Sequence, residues 1–392
     1  MAYQWRNGTQ DKQAVAQTAC IVYLLAKAGV NPINQNAIAK GLAFVKPRIA
    51  ASRDPYLLAC YVLAASETGD LAGAQEVIPQ LMQLAQVKGE KVYWEQSGPT
   101  LFYGWGTAGR IETTALVLQA LVTIPVANPP AEVASIINRG FQYLIETKDR
   151  YGVWYSTQAS LNVWRALLLL SSHEASETKS DTAESAELWV NDTLVKLVTW
   201  SANGKNPLSL SPISIDVSKW LIPGRNQIVL KRKQPGKILT LQAVVGSYVP
   251  WNVRSLAPAV TSPDVQLQVA FDKTEAVIGE PVTCTVTTHR TGKNAYGMLL
   301  AEIGLPPGVE IDQASLETAV AKLGSWGNSF EIHPDRVVLY LWPPSNGSST
   351  LKFSLTPRFA MTAKSVPSIL YDYYNPEVQT VIAPARFVIR ER

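Results

Sequence analysis

The feature that most constrains this chain is a change of hydrophobic period near its middle. Up to about residue 172, apolar residues recur with the 3.6-residue period of helices, whereas from residue 187 onward short runs alternate with the two-residue period of strands. The two halves are therefore predicted to form separate helical and β domains. A run at 173–186 is rich in Ser, Glu and Thr, has little to bury, and is predicted to be a polar linker.

The first half predicts seven helices whose burial alternates. The first, third, fifth and seventh are apolar on nearly every side, which indicates buried helices, and the others carry one apolar face, which indicates an outer layer. This alternation is typical of an α/α toroid, in which an inner ring of helices is surrounded by an outer ring. The predicted helices lie at about 10–28, 34–46, 54–68, 71–87, 110–124, 131–147 and 157–171.

The second half predicts antiparallel β domains that end in a sandwich. Many short alternating runs are separated by Asn, Gly and Pro turns, which is typical of sandwiches. One helix interrupts the last block at 314–322, with Ser315 as its predicted N-cap. Near the C-terminus, a strand places Tyr371 and Tyr373 on one face and Tyr374 on the other.

Charge, hydropathy and cysteine content argue against several classes of protein. The net charge is +4 and the longest basic run is Lys231-Arg232-Lys233, so no nucleic-acid partner is predicted. No apolar stretch approaches the roughly 20 residues of a membrane span, and the first ten residues lack the apolar core of a signal peptide. Cys20, Cys60 and Cys284 lie among apolar neighbours and are predicted to be buried side chains rather than a disulfide framework.

Five short motifs occur in the chain order of one known family. In the helical half, 111–121 carries Glu-Thr-Thr followed by Leu and Ala-Leu, and 152–159 reads Gly-Val-Trp-Tyr-Ser-Thr-Gln-Ala. In the β half, 278–282 reads Ile-Gly-Glu-Pro-Val, 304–309 reads Gly-Leu-Pro-Pro-Gly-Val, and 367–377 ends in Tyr-Asp-Tyr-Tyr-Asn-Pro-Glu. Together they resemble the C-terminal part of the α2-macroglobulin and complement thioester-protein family.

The resemblance implies a domain plan and a function. Residues 1–172 resemble the back part of a thioester domain, 187–255 a CUB-like β region, and 262–392 a macroglobulin-like receptor-binding sandwich. It further implies a non-enzymatic C-terminal fragment of an endopeptidase inhibitor that acts by protein–protein contact. Its partners would be the upstream part of the same protein or a neighbouring chain, and proteases indirectly, in an extracellular, periplasmic or cell-envelope location.

The chemistry of the resembled family is not found in these residues. Its thioester joins Cys to Gln within Cys-Gly-Glu-Gln, and none of the three cysteines precedes Gly-Glu-Gln. The histidines are His173, His289 and His333; none corresponds to the family's catalytic histidine, and their spacing predicts no metal site. We therefore predict no thioester, no catalytic residue, no metal and no cofactor.

Seven helices are fewer than a closed toroid of the resembled family contains. Missing neighbours would expose apolar faces, and each Å² left in water costs about 25 cal/mol. We therefore expect an exposed apolar face on the first helical segment, which a further part of the protein or a partner chain would cover.

Two residues are candidates for contacts with a partner. In animal members of the resembled family a lysine-bearing helix of the sandwich binds a clearance receptor, and Lys322 is the lysine of the helix predicted here. Tyr374 is the second candidate, because its strand position separates it from the other two tyrosines. For Lys322 the structural alternative is a solvated lysine.

Two other functions remain open from the sequence. A toroid lyase or glycoside hydrolase would need paired carboxylates, for which Glu95, Glu112 and Asp149 are candidates near the helix ends; their structural alternative is capping and solvated charge. The absence of any Asp-Asp pair, and of His before His173, argues against terpene-cyclase and zinc-dependent prenyltransferase chemistry. An envelope scaffolding module is the third possibility.

Overall fold

The computed structural model of this protein divides the chain into two compact units. The first comprises 1–97, 111–152 and 160–245, and the second comprises 98–110, 153–159 and 246–392. The residues that the structure describes are 7–101, 104–124, 131–148, 153–177, 183–201, 213–232, 243–246, 262–291, 297–324, 327–342 and 347–391.

The described part of the first half contains the seven helices that its period predicts, followed by β-sheets, so the predicted fold class is confirmed. Helix α1 packs on α2 and α3, and α3 packs on α4, which is the pairing of an α/α toroid. The helices are α1 (Asn7–Lys27), α2 (Gln35–Ile49), α3 (Pro55–Glu67), α4 (Leu71–Gln83), α5 (Gly106–Thr123), α6 (Ala131–Glu146) and α7 (Thr157–Glu177).

Helices α3 and α5 are buried on every side, as their continuous apolar sequence predicts. Every residue from Pro55 to Ala65 is buried in α3, and every residue from 111 to 121 is buried in α5. Asp54 begins α3 as an N-cap: its Oδ1 accepts a hydrogen bond from the Tyr56 N–H at 3.0 Å. These two helices form the centre of the helical core.

Helices α1 and α7 differ from the prediction that they are buried all round. On α1, Ile21 is 56% exposed and Leu24 is also exposed, whereas the opposite face is buried. On α7, Leu161, Trp164 and Leu168 are exposed at a spacing of three and four residues, and so lie on one face. Each helix thus exposes an apolar stripe among the described residues, and for α1 this agrees with the expected exposed face on the first helical segment.

A short hairpin that the periodicity did not predict follows α4. Its strands are β1 (Gln86–Lys88) and β2 (Lys91–Tyr93), and the predicted helix over 71–87 therefore ends at Gln83. The hairpin leads to Trp94, which is completely buried. The Trp94 indole N–H donates to the Leu81 carbonyl at 2.7 Å, and its backbone N–H donates to Thr114 Oγ1 at 3.0 Å.

In the described part of the first unit, three strands follow the helices. Helix α7 runs to Glu177 and β3 begins at Ala183, so the predicted linker over 173–186 is too long at both ends. Helix α7 therefore continues beyond the last apolar residues of its segment, which apolar periodicity cannot indicate. The strands are β3 (Ala183–Val190), β4 (Thr193–Ser201) and β5 (Ile228–Arg232), in the antiparallel order β4-β3-β5.

The second unit contains a β-sandwich with one helix. Asp312, rather than the predicted Ser315, is the N-cap of that helix: its Oδ1 accepts from the Ser315 N–H at 3.1 Å. The elements are β6 (Val265–Phe271), β7 (Glu275–Val277), β8 (Val282–Arg290), β9 (Leu299–Gly304), β10 (Val309–Ile311), α8 (Gln313–Ala321), β11 (Ser329–His333), β12 (Arg336–Leu341), β13 (Ser348–Pro357), β14 (Met361–Lys364), β15 (Ser368–Asp372), β16 (Gln379–Ile382) and β17 (Arg386–Arg390).

The sandwich strands form three sheets around one apolar core. Their orders are β10-β13-β8-β6, β11-β12-β9-β15-β16 and β14-β17-β7, all antiparallel except for the parallel pair β7 and β17. Strand β8 alternates strictly between buried and half-buried residues, as expected for a strand with one face on the core. Among the described residues, no helix has the length and apolar character needed to cross a bilayer.

The buried position of Trp94 generates a stability prediction. Trp94→Ala should lower the free energy of unfolding by about 3–5 kcal/mol, because it leaves a cavity and an unpaired Leu81 carbonyl. Trp164→Ala is the matched control, since Trp164 is 49% exposed and its truncation should cost under about 1 kcal/mol. Urea unfolding followed by circular dichroism measures both free energies, and equal effects would contradict the stabilising role of the buried Trp94.

Candidate functional site

The loop after β15 contains most of the Tyr-Asp-Tyr-Tyr-Asn-Pro-Glu motif and is organised by one carboxylate. We name residues 372–378 the capping loop. The backbone N–H of Asp372 donates to the Val378 carbonyl at 3.0 Å, which closes the loop. Oδ1 of Asp372 accepts from the N–H groups of Tyr374 at 2.9 Å and Asn375 at 3.0 Å. The loop is thus a tight turn whose shape depends on this side chain.

Asp372 is also one half of a buried ion pair. Its Oδ2 accepts from Arg290 Nη2, and Arg290 Nη1 donates to the Gly297 carbonyl at 2.8 Å. Only 3% of the Arg290 side chain and 1% of the Asp372 side chain are exposed. Burial raises the pKa of Asp372 to about 6, and the Arg290 charge and the two amides act in the opposite direction. Asp372 is therefore ionised at pH 7.5, where the pair is complete.

The capping loop contacts the first turn of α5, which belongs to the same compact unit. Asn375 Oδ1 accepts from the Thr107 N–H at 3.3 Å and from Thr107 Oγ1 at 2.9 Å. The carbonyl of Tyr374 accepts from the Ala108 N–H at 2.9 Å. The first N–H groups of a helix have no partner within it, so the loop supplies an N-cap from a residue 268 positions away.

A close approach at Gly106 and an ion pair accompany the contact between the capping loop and α5. Gly106 has φ +54°, and a Cβ built there would lie 2.5 Å from Asn375 side-chain atoms, so no larger residue fits without a shift. Arg110 Nη2 donates to Glu377 Oε2 at 3.0 Å and to Thr107 Oγ1 at 3.1 Å. Since the Glu377 side chain is 65% exposed, its ion pair contributes little to stability.

Tyr374, a predicted partner-binding residue, is half-buried at this contact. Its ring packs edge-on against Tyr373 with centroids 5.2 Å apart, and burial raises the pKa of its hydroxyl. A Cβ at Gly297 would lie 2.7 Å from the Tyr374 ring, so the ring rests on a glycine. The backbone carbonyl of Tyr374 makes the contact to α5, and a role for its side chain in binding a partner stays a prediction.

Lys322, the other predicted partner-binding residue, lies just after the end of α8. It is exposed, and its backbone N–H donates to the Thr318 carbonyl at 3.2 Å. The outward face of α8 is polar, with the Gln313 amide donating to Glu317 at 2.8 Å. A receptor contact through Lys322 stays a prediction.

The carboxylates considered for catalysis lie in unlike surroundings. Glu112 is buried in the second turn of α5 and accepts a hydrogen bond from the Tyr56 hydroxyl at 3.2 Å, whereas Glu95 is exposed. Asp149 lies outside the described residues. Glu112 thus bonds to α3 rather than capping its own helix. Two residues later, Thr114 accepts a hydrogen bond from the backbone N–H of Trp94. The Glu-Thr-Thr motif serves packing of the inner helices.

The three cysteines are free thiols in poorly solvated positions. Burial raises the pKa of Cys20, and the charge of Glu112 raises it further. Burial raises the pKa of Cys60 well above its usual range and that of Cys284 to about 12. Because the thiolate is the nucleophile, these shifts disfavour covalent chemistry at all three thiols.

The histidines are dispersed. His289 lies on β8, His333 Nε2 is 3.3 Å from Glu331 Oε2 on β11, and the side chain of His173 lies outside the described residues. Within the part of the chain that the structure describes, no group of three His, Cys, Asp or Glu side chains could hold a metal ion.

Sequence comparison assigns both ends of the chain to one family. Residues 5–168 match the A-macroglobulin TED domain, and residues 294–383 match the A-macroglobulin receptor-binding domain. Together the two matches cover more than half of the chain, in the order that the motifs indicate. The chain belongs to the α2-macroglobulin family, and the resemblance seen in the sequence is confirmed.

Solved structures of bacterial α2-macroglobulins share the fold. Native Escherichia coli α2-macroglobulin from domain MG7 to the C-terminus is 13% identical with a TM-score of 0.57, covering 100% of this chain and 56% of that one. The cryo-EM structure of the native E. coli protein is 12% identical with a TM-score of 0.55, and the match covers 100% of this chain and 22% of that one. Salmonella α2-macroglobulin reacted with methylamine is 14% identical with a TM-score of 0.53, and the match covers 99% of this chain and 23% of that one. This chain therefore spans about half of the first structure and under a quarter of the others.

The N-cap supplied by Asn375 generates a prediction. Asn375→Ala should destabilise the second unit by about 1 kcal/mol, because the Thr107 N–H loses its acceptor. Asn375→Asp retains an acceptor oxygen near the positive helix end and should restore most of the loss. Urea unfolding at pH 7.5 compares the two variants, and equal stabilities for Ala and Asp would contradict the cap.

Proposed function

We propose that this chain is the non-enzymatic C-terminal part of an α2-macroglobulin-like endopeptidase inhibitor, and that it contributes through protein–protein contact. The observation that carries this proposal is the pair of exposed apolar faces on α1 and α7, in a helical unit whose other apolar helices are buried. Family membership supports the inhibitor assignment, since the fold and the two domains are those of the family.

Each exposed stripe lies on a helix whose opposite face is buried. The exposed stripe of α7 is centred on Trp164, and that of α1 on Ile21. Full burial of a large apolar side chain stabilises by about 1.5–3 kcal/mol, so a partner that covers both stripes would gain substantial binding free energy.

The occupant that we propose is the preceding helical part of a thioester-type domain, supplied by the upstream part of the same protein or by a neighbouring chain. The greater length of the bacterial structures supports this choice. The three-stranded sheet supports it too, because Leu194 and Leu197 of β4 are half-exposed on the face opposite Leu188. Proteases would be reached through that larger assembly, in the periplasm, the cell envelope or the extracellular space.

The chain is proposed to lack a thioester of its own. None of its cysteines precedes Gly-Glu-Gln, and each thiol has a raised pKa because of burial. Glu112, the one buried catalytic candidate in the described residues, already bonds to Tyr56. These observations favour a binding role over an acylating or hydrolytic one.

Docking through α7 generates a mutational prediction. The purified chain should bind the polypeptide translated from the reading frame that precedes residue 1, and Trp164→Glu should weaken that affinity about 30-fold or more, the size of a hot-spot loss. Phe359→Glu is the matched control, because Phe359 is also an exposed aromatic side chain, 66% exposed on the sandwich. Biolayer interferometry measures the affinities. An equal loss in both variants, or no binding by the unaltered chain, would sink the docking proposal.

Methylamine provides the chemical test. Incubation of the folded chain with methylamine at pH 8 should leave its intact mass unchanged, because there is no internal thioester to open. A bacterial α2-macroglobulin that contains the Cys-Gly-Glu-Gln motif serves as the positive control. A mass increase of one methylamine in this chain would overturn the proposed absence of a thioester.

A further inference from the structure

Helix α5 begins without a local N-cap. The residues before it read Gly104-Trp105, and neither offers a side-chain oxygen to the first N–H groups of the helix. The first N–H that bonds within the helix is that of Gly109, which donates to the Trp105 carbonyl at 3.2 Å. The N–H groups of Thr107 and Ala108 therefore depend on the capping loop for acceptors.

The acceptors reach these N–H groups only if the capping loop keeps its shape. The backbone N–H groups of Tyr374 and Asn375 point inward to Asp372 Oδ1. This arrangement leaves the Tyr374 carbonyl and Asn375 Oδ1 directed at α5. The same carboxylate that folds the loop is fixed on its other side by Arg290, at the end of β8.

We propose that the buried Asp372–Arg290 pair is a positioning device: it holds the capping loop so that the loop binds the start of α5, and without the pair that contact is released while the sandwich stays folded. Asp372 and Arg290 do not touch α5 themselves in any contact described above. They act through Tyr374 and Asn375. This inference does not depend on the docking of α1 and α7.

The burial of the pair explains why it can control the loop. Removal of one partner leaves an uncompensated buried charge, which is strongly unfavourable. Asp372 is the last residue of β15, where the capping loop begins, so relief of this charge should displace the loop first. Strand β8, in contrast, is held by β6 and β13 along its length. Loss of the ion pair should therefore rearrange the capping loop and leave the core of the sandwich folded.

Hydrogen exchange in the full chain tests the proposal. In Arg290→Met at pH 7.5, the amides of Thr107 and Ala108 should lose protection by tenfold or more, whereas the amide of Val286 in β8 should change less than threefold. Asp335→Asn is the control, since it breaks the exposed Asp335–Arg336 pair in the same unit and should leave Thr107 protected.

A double-mutant comparison separates positioning from general stabilisation. Asn375→Ala alone should also expose the Thr107 amide, and adding it to Arg290→Met should cause little further loss, because the two changes break one contact. Additive losses would overturn the proposal. If Arg290→Met and the milder Asp372→Asn both unfold the sandwich, with Val286 losing protection as much as Thr107, the pair supports the whole sandwich and the proposal is wrong.

Discussion

Burial of α3 and α5 on every side is the constraint on which the helical unit depends. A helix that is apolar all round needs neighbours all round, and within the described residues α1, α2 and α4 pack against α3, while its Tyr56 bonds to Glu112 of α5. The same requirement applies to the apolar segments of α1 and α7, at 19–26 and 166–170. Their outward stripes are not covered in the described part of the chain, and this difference underlies the proposed docking role.

Several buried polar groups of the helical unit join its elements to one another. Glu112 accepts from Tyr56, Thr114 accepts from Trp94, and the Gln119 amide donates to the Asn162 carbonyl at 2.9 Å. Each of these bonds joins two helices, or a helix and the hairpin. A buried polar group that is already bonded costs little, whereas one freed for catalysis would need a second source of stabilisation. The interior is therefore suited to rigid packing.

The sequence predicts the local features well and the distant contacts poorly. All seven helices of the first half follow from apolar periodicity, because burial patterns repeat within one turn. The start of α5 at Gly106 instead of 110 was missed, since its N-cap is Asn375 and no local residue signals it. The end of α4 and the cap of α8 were also misplaced, for a short exposed hairpin has no period and Asp312 lies just outside the predicted helix.

The candidate site shows the same division. The Tyr-Asp-Tyr-Tyr-Asn-Pro-Glu motif could be singled out by family resemblance, and Tyr374 with it. The function of Asp372 could not, because it depends on Arg290, 82 residues away, and on the amides of its own turn. Ion pairs between residues far apart in the chain depend on the order and register of the strands, which hydrophobic periodicity does not predict.

The central claim is that the exposed faces of α1 and α7 bind a partner. Hydrogen-exchange mass spectrometry of the isolated monomer tests this claim most directly. The account predicts that amides in residues 14–27 and 160–170 exchange at least tenfold faster than those of α3 and α5, because one apolar face of each of these two helices is exposed. Equal protection across the four helices in the monomer would contradict it.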